Sequence, residues 1–292
     1  PVARDVQFVA DRTSFALYRG RYDSPNFQAG SYPFRNIENG GDFELDAAGV
    51  PILQGMSDLR FSMSIPTQVP MPASGWPVVL YAHGTNGDYR TYERNGTAEH
   101  LAAQGLAAIA IDQVMHGDRI SGGDSQTLFF NFLNPLAGRG NVMQAALEGF
   151  QLTRLVNDFA FIDAGQGDRN ISFDADKTYF FGHSQGSVTG VPFVAHEAQM
   201  KGAIFSGAGG LLYLTMLSKV EPFDVKAVLG LIIRDTPLDR FHPALALIQA
   251  FFEPSDAIAY GRLLVQEPPA GNLAKNIFQT YGITDRYTPV PT

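Results

Sequence analysis

Five short, mostly apolar runs without clear alternation of apolar and polar residues place the strongest constraint on the fold of this chain. They lie at residues 78–82, 107–111, 177–181, 203–205 and 276–281. Such runs are typical of strands covered on both faces of a sheet. Segments with helical periodicity separate several of them, notably residues 97–104 and 142–159. Alternating strands and helices predict βαβ units, and hence an α/β fold with a mostly parallel central sheet flanked by helices.

Two further segments have a different character. Residues 1–70 contain many turn-forming residues between short aromatic and β-branched pieces, and residues 59–65 alternate with period two, which predicts antiparallel strands. Residues 211–269 are apolar and interrupted by prolines, which predicts helical insertions above the sheet, where a lid would lie. Because no repeat or linker separates these parts, we expect residues 1–292 to form one domain, with residues 1–70 as a β-rich extension packed on it.

Composition excludes several classes of function. The chain has 45% apolar and 17% charged residues, a net charge of −8 and no cysteine. The acidic balance argues against a nucleic-acid partner, and the absence of cysteine excludes a thiol nucleophile. The longest apolar stretch, residues 227–233, is too short to span a bilayer. The chain begins with Pro1-Val2, which is typical of a mature terminus, and we expect a secreted or periplasmic location.

The strongest chemical signal is Gly182-His183-Ser184-Gln185-Gly186, a G-x-S-x-G sequence between a predicted strand and a predicted helix. A nucleophile elbow needs a strand to enter a helix through a sharp turn that holds serine in strained φ/ψ, with small residues on both sides. A glycine-rich turn that carries an ordinary serine is the alternative. The strand-turn-helix context favours Ser184 as a nucleophile.

A second signal precedes it by about 100 residues. The run 78–82 opens into His83-Gly84-Thr85-Asn86-Gly87. We expect His83 to be structural, because it precedes the residue whose backbone N–H would face a substrate.

With these motifs, the chain resembles the α/β-hydrolase superfamily, and within it bacterial lipase- and esterase-like serine hydrolases, from about Gly75 to Pro289. Besides the two motifs, the resemblance rests on Ile111-Asp112 leading to His116-Gly117-Asp118-Arg119, and on the segment 282–289. Segments 141–154, with Gln144 and Glu148, and 253–260 are similar in a less specific way.

The resemblance implies a reaction and its residues. Ser184 attacks a carboxylic ester, the backbone N–H groups of Thr85 and Gln185 form the oxyanion hole, and Asp285 orients the catalytic histidine. No cofactor is implied, and the partner is a small-molecule or lipid ester substrate. Aromatic residues at 129–133 and 250–252 are candidates for an acyl pocket or for core packing.

The chain departs from the superfamily in one respect. The order there is serine, acid, histidine, yet all six histidines of this sequence precede Asp285. The preferred explanation is that the chain is truncated, with the last strand, the last helix and the catalytic histidine located after Thr292.

Three alternatives stay open. Asp235 and His242 could act as acid and base, although their separation by seven positions leaves no room for a strand. The chain could instead be an inactive binding module on a hydrolase fold. Amide or polyester substrates are a third possibility. His196-Glu197 lacks the second histidine of a zinc-protease helix, and no nucleotide-binding glycine motif occurs, so we expect no metal and no nucleotide cofactor.

Overall fold

A computed structural model of the chain describes residues 1–221, 223–235 and 237–289. Its described part contains eleven strands and nine α-helices. The strands are β1 (Arg4–Asp11), β2 (Phe15–Asn26), β3 (Gln28–Gly30), β4 (Gly40–Phe43), β5 (Gly55–Pro66), β6 (Trp76–Ala82), β7 (Ala107–Ile111), β8 (Ala160–Asp163), β9 (Arg169–His183), β10 (Met200–Ser206) and β11 (Asn276–Thr280). The helices are α1 (Thr91–Arg94), α2 (Thr97–Ala103), α3 (Ser125–Phe130), α4 (Pro135–Asn157), α5 (Gln185–His196), α6 (Leu212–Ser218), α7 (Val225–Ile233), α8 (Pro243–Phe252) and α9 (Gly261–Val265).

One large sheet organises the chain, with strand order β1-β2-β5-β7-β6-β9-β10-β11. Five neighbouring strands of this path run parallel to one another: β7, β6, β9, β10 and β11. The strands β1, β2 and β5 join them by antiparallel pairing. β8 pairs antiparallel with β9, and β3 with β4 forms a separate ribbon. The predicted α/β fold with a mostly parallel central sheet is therefore confirmed. Residues 1–70 add three strands to this same sheet rather than forming a layer on top of it.

The apolar runs lack alternation because both faces of the sheet are covered. Along β6, Val78 and Leu80 face one hydrophobic cluster with α4 and α5, whereas Val79 and Tyr81 face another with α2. All four side chains are at most 4% exposed. Burial of apolar surface on both faces stabilises the central strands and fixes their register.

The exposure of the β5 side chains differs from what the alternating sequence of this strand predicts. Its alternating serines, Ser62 and Ser64, are fully buried although period-two alternation usually marks a half-exposed strand. Helix α1 covers this face, and Ser62 donates a hydrogen bond to Glu93 and lies 3.3 Å from the hydroxyl of Tyr92. The polar side chains of β5 are therefore buried, and Ser62 is hydrogen-bonded to a polar side chain of α1.

Residues 211–269 contain the helices α6, α7, α8 and α9, as the proline-interrupted apolar pattern predicts. Met216, Val225, Leu229 and Leu245 form a small core of their own among these helices. The carboxylate of Asp256 accepts hydrogen bonds from the N–H groups of Leu211, Leu212 and Ile258 and from the side chain of Gln249. One buried acid therefore ties the beginning of this insertion to a point near its end.

Candidate active site

The sheet topology creates a crevice between β6 and β9. From β6 the chain passes to β7 on one side and later to β9 on the other, so the strand order reverses at this pair. Ligands of open α/β sheets bind beyond the carboxyl ends of the strands at such a reversal. Ser184 directly follows β9, and Thr85 lies three residues beyond β6.

Ser184 has the backbone of a nucleophile elbow, with φ 52° and ψ −118°. Positive φ is strained for a residue with a side chain and persists where the surrounding structure enforces it. The Ser184 N–H donates to the carbonyl of Ser206 at 2.7 Å, and its carbonyl accepts from Ser187 N–H at 2.8 Å. Its hydroxyl makes no hydrogen bond within the described residues, and the residue is partly exposed. The turn is thus held by its backbone, and the hydroxyl is available.

Both glycines of the motif are required by close approach of backbone atoms. A Cβ on Gly186 would lie 2.2 Å from the carbonyl oxygen of Ala82, and one on Gly182 would lie 2.6 Å from the carbonyl oxygen of Gly186. Neither glycine has positive φ, so space rather than backbone freedom explains both. The G-x-S-x-G spacing is therefore a packing requirement of this turn.

The loop after β6 lies against Ser184. A Cβ on Gly84 would come within 3.2 Å of the Ser184 Cβ. The backbone N–H groups of Thr85 and Gln185 donate no hydrogen bond within the part of the chain that the structure describes. Gln185 opens α5, whose N-terminal end favours negative charge. Two unengaged amide donors thus flank the serine, and the Thr85 hydroxyl donates to Gln185 Oε1 at 3.0 Å.

Two fully buried histidines, His83 and His116, contact the backbone of the loop after β6. His83 Nδ1 lies 2.8 Å from the Gly84 carbonyl oxygen, and His83 Nε2 accepts from Gln113 N–H at 3.1 Å. His116 Nε2 accepts from Asn86 N–H at 3.2 Å, and its Nδ1 lies 2.9 Å from the Val114 carbonyl oxygen. Burial, followed by the neighbouring His116, lowers the pKa of His83 to about 3. Burial likewise lowers the pKa of His116, and both rings are neutral.

A buried ion pair, Arg119 with Glu148, packs near these histidines. Both Arg119 terminal nitrogens bond the Glu148 carboxylate at 2.7 Å, and Gln144 Nε2 donates to the same carboxylate at 3.1 Å. Burial works to lower the pKa of Arg119, but the attraction and hydrogen bonds of Glu148 outweigh it and raise that pKa. In the sequence, only the similarity of residues 141–154 to the hydrolase superfamily pointed to Glu148. That similarity does not reveal the partner of Glu148.

Asp285 lies in the loop after β11, at the same edge of the sheet as Ser184 but two strands away. Its Oδ1 accepts from the N–H groups of Tyr287 and Thr288 at 2.8 and 2.9 Å, which closes a tight turn. Burial lowers the pKa of Lys219, and the charge of Asp285 works against that lowering. Among the described residues, no histidine is hydrogen-bonded to Asp285.

The structure brings Asp235 and His242 together, with His242 Nε2 3.3 Å from Asp235 Oδ2. The other ring nitrogen, Nδ1, accepts from Ala244 N–H at 3.3 Å and caps the N-terminus of α8. Both nitrogens are thus engaged, and neither is available to take a proton from Ser184. This geometry argues against the pair as acid and base.

The three remaining histidines, His100, His183 and His196, have other surroundings. His183 Nδ1 lies 3.4 Å from Ser206 Oγ, and His196 Nδ1 lies 2.9 Å from the Pro192 carbonyl oxygen. His100 lies exposed on α2. None of the sequence's six histidines is hydrogen-bonded to Ser184 in the described structure.

The described part of the chain shows neither a metal site nor a membrane-spanning helix. Within residues 1–221, 223–235 and 237–289, no group of three or more His, Asp or Glu side chains is arranged to hold a metal ion. Among the helices the structure describes, none combines the length and apolar character needed to cross a membrane.

The parallel sheet and the serine turn between β9 and α5 define the α/β-hydrolase fold, as the sequence motifs predict. Two solved structures are similar to this chain. Acetyl xylan esterase 1 from Thermoanaerobacterium sp. JW/SL YS485 matches with a TM-score of 0.57 and 11% identity, over 98% of this chain and 75% of that one. An acetyl xylan esterase from Paenibacillus sp. R4 matches with a TM-score of 0.52 and 15% identity, over 95% and 81%. At these identities the likeness establishes the fold. No protein-family model and no curated protein matches the sequence.

Proposed function

We propose that the chain is a carboxylic ester hydrolase that works through an acyl-enzyme on Ser184. The observation that carries the proposal is the strained backbone of Ser184, which presents an unbonded hydroxyl beside two unengaged amide donors. Strain of this kind is typical of functional sites. The two similar structures, both acetyl xylan esterases by name, support ester hydrolysis.

The proposed reaction has two halves. Ser184 Oγ attacks the ester carbonyl carbon, and the resulting oxyanion accepts hydrogen bonds from the N–H groups of Thr85 and Gln185. The C–O bond to the alcohol then breaks, the alcohol leaves with a proton, and water repeats the attack to release the acid.

A histidine must take the Ser184 proton and return it to the leaving alcohol. We assign Asp285 to orient this imidazole and to stabilise its charged form. The six histidines of the sequence are held elsewhere or lie on an exposed helix face. The proposal therefore assigns the base role to none of these six histidines.

The test is labelling of the full-length protein with a fluorophosphonate, followed by identification of the modified peptide. We expect one label, on Ser184, and its loss in Ser184→Ala. Ser206→Ala is the matched control, because Ser206 lies at the same sheet edge and should leave the label in place. A label on another residue would refute Ser184 as nucleophile, and absence of any label would favour the inactive binding module.

The hydrolysis rates of matched ester and amide substrates would then define the class of hydrolase. We expect p-nitrophenyl esters to be cleaved faster than the corresponding anilides by at least about 100-fold, because the alcohol is the better leaving group. A faster anilide would assign the protein to amide hydrolysis instead.

A further inference from the structure

The loop that carries Thr85 is a tight turn. Gly87 N–H donates to the Gly84 carbonyl oxygen at 3.0 Å, which makes Thr85 and Asn86 its two central residues. Asn86 has φ 63°, the left-handed conformation that the second central position of such a turn requires. The turn's own hydrogen bond engages the Gly84 carbonyl oxygen and the Gly87 N–H, and it does not engage the peptide plane between Thr85 and Asn86. His83 therefore adds a second contact to the Gly84 oxygen, and His116 supplies the contact to the following plane.

The two buried histidines contact these two planes. The Gly84 carbonyl and the Thr85 N–H belong to one planar peptide unit, and His83 Nδ1 lies 2.8 Å from that carbonyl oxygen. The Thr85 carbonyl and the Asn86 N–H belong to the next unit, and His116 Nε2 accepts from that N–H. Each histidine therefore holds one of the planes that meet at the Thr85 Cα.

The tautomers of both rings follow from their partners. Each Nδ1 faces a carbonyl oxygen and must carry the hydrogen, whereas each Nε2 faces a backbone N–H and must be bare. The rings contact edge to face, with centroids 5.0 Å apart, and His116 also packs against Phe129. Both histidines are fully buried, so neither can turn to another partner without repacking.

We propose that His83 and His116 are positioning residues that together aim the Thr85 N–H at the developing oxyanion. The inference rests on the function proposed above. Because a trans peptide is planar, holding the Gly84 oxygen toward His83 directs the Thr85 N–H away from His83. Ser184 lies against the same Gly84, since a Cβ there would be 3.2 Å from the Ser184 Cβ. His116 prevents the compensating rotation of the following plane. The pair therefore acts on the transition state and leaves ground-state binding of the ester unchanged.

The test uses four variants of the full-length protein, assayed for Ser184-dependent hydrolysis of p-nitrophenyl acetate. His83→Asn and His116→Gln keep a donor or acceptor where the wild-type nitrogen contacts the turn, whereas His83→Leu and His116→Leu remove it. We expect each Leu variant to lose about 10- to 100-fold in kcat with KM within about threefold, the signature of an interaction made in the transition state. The polar variants should recover most of this loss.

A loss confined to KM, or equal losses in the polar and the Leu variants of folded protein, would overturn the inference. A second readout covers Leu variants that fail to fold. In wild-type protein, scalar coupling across the hydrogen bond should link the Asn86 amide to His116 Nε2, and its absence would also overturn the inference.

Different results would refute the proposed function and the proposed positioning roles. Retention of the fluorophosphonate label in Ser184→Ala would refute the proposed function. Wild-type kcat in both Leu variants of an enzyme that depends on Ser184 would refute only the positioning roles.

Discussion

The hydroxyl of Thr85 donates a 3.0 Å hydrogen bond to Oε1 of Gln185, the residue directly after Ser184. These are the two residues whose backbone N–H groups are proposed to form the oxyanion hole. Gln185 is 2% exposed, and its Nε2 has no partner among the described residues. The side-chain bond therefore ties the loop after β6 to the start of α5 and sets the separation of the two donors.

Thr85→Val should lower kcat about tenfold and leave KM within about twofold, because it removes the tie without changing the backbone donor. Thr85→Ser keeps the hydroxyl and serves as the matched control, with near wild-type kcat. Steady-state kinetics with p-nitrophenyl acetate measure both. Equal kcat for the valine and serine variants would show that the hydrogen bond has no role in catalysis.

Gly186→Ala should destabilise the protein by about 3 kcal/mol or more, because its Cβ would overlap the Ala82 carbonyl oxygen and push the end of β6 away from α5. Gly230→Ala on α7 is the control, since the nearest atom to its Cβ would be 3.9 Å away. That variant should gain up to about 1 kcal/mol from helix propensity. Urea unfolding measures both free energies, and a stable Gly186→Ala protein would contradict the packing described here.

Asp285→Asn should lower kcat by about 10²- to 10⁴-fold, because the amide keeps the oxygen that closes the turn but cannot stabilise an imidazolium. Asp239→Asn is matched to it, since Asp239 closes a similar turn at Phe241 N–H in the helical insertion. The control should keep full activity. If Asp285→Asn is as active as the control, the acid lies elsewhere.

His242→Asn should keep Ser184 labelling at the wild-type rate, because asparagine also caps a helix N-terminus and the histidine serves α8. His242→Ala should keep labelling as well but lose about 1 kcal/mol of stability with the cap. Labelling rates and urea midpoints separate the two effects. Loss of labelling in the folded asparagine variant would instead assign His242 as the base.

Acid should destabilise the fold through His83 and His116. Both have folded pKa values below the ordinary 6.5, so the unfolded chain binds more protons and the stabilisation, complete above that value, falls as pH decreases below it. The charge of Asp88 works to raise the pKa of His83 and the charge of Arg119 works to lower it. Burial is the largest effect on this pKa.

Between pH 6 and 5, His83 should contribute a loss approaching about 1.4 kcal/mol per pH unit, and His116 should add to the loss in the same direction. Urea unfolding across this range measures the slope. His116→Gln should make the slope smaller. An unchanged slope in His116→Gln would show that His116 is not held neutral in the fold.

Much of the fold was predictable because its central strands are buried on both faces. That burial demands continuous apolar runs, and the runs at 78–82 and 107–111 coincide with or lie within β6 and β7. The extent of β9 was not predictable from the apolar run at 177–181, because its first half pairs with β8 and carries polar residues. Nor does local sequence show that α1 covers the serines of β5, since that contact joins residues about 30 positions apart.

The serine turn was predictable for a different reason. Its glycines are required by contacts within a few residues of Ser184 and by the adjacent strand, so a five-residue pattern records them. The roles of His83 and His116 were not predictable, because a histidine's partners are set by loops brought together in space. The sequence indicated a structural role for His83, but the two peptide planes that His83 and His116 contact are visible only in the folded chain.

The clasp formed by Asp256 has a consequence for how this scaffold can diversify. Since one carboxylate gathers Leu211, Leu212 and Ile258, the roughly 45 residues between them form a closed module whose ends remain together whatever lies within it. Helices of other lengths grafted between those anchor points would leave the strands below undisturbed. Exchange of this module would have to retain residues 219–221, because they hydrogen-bond to Arg286 and Tyr287, directly beside Asp285.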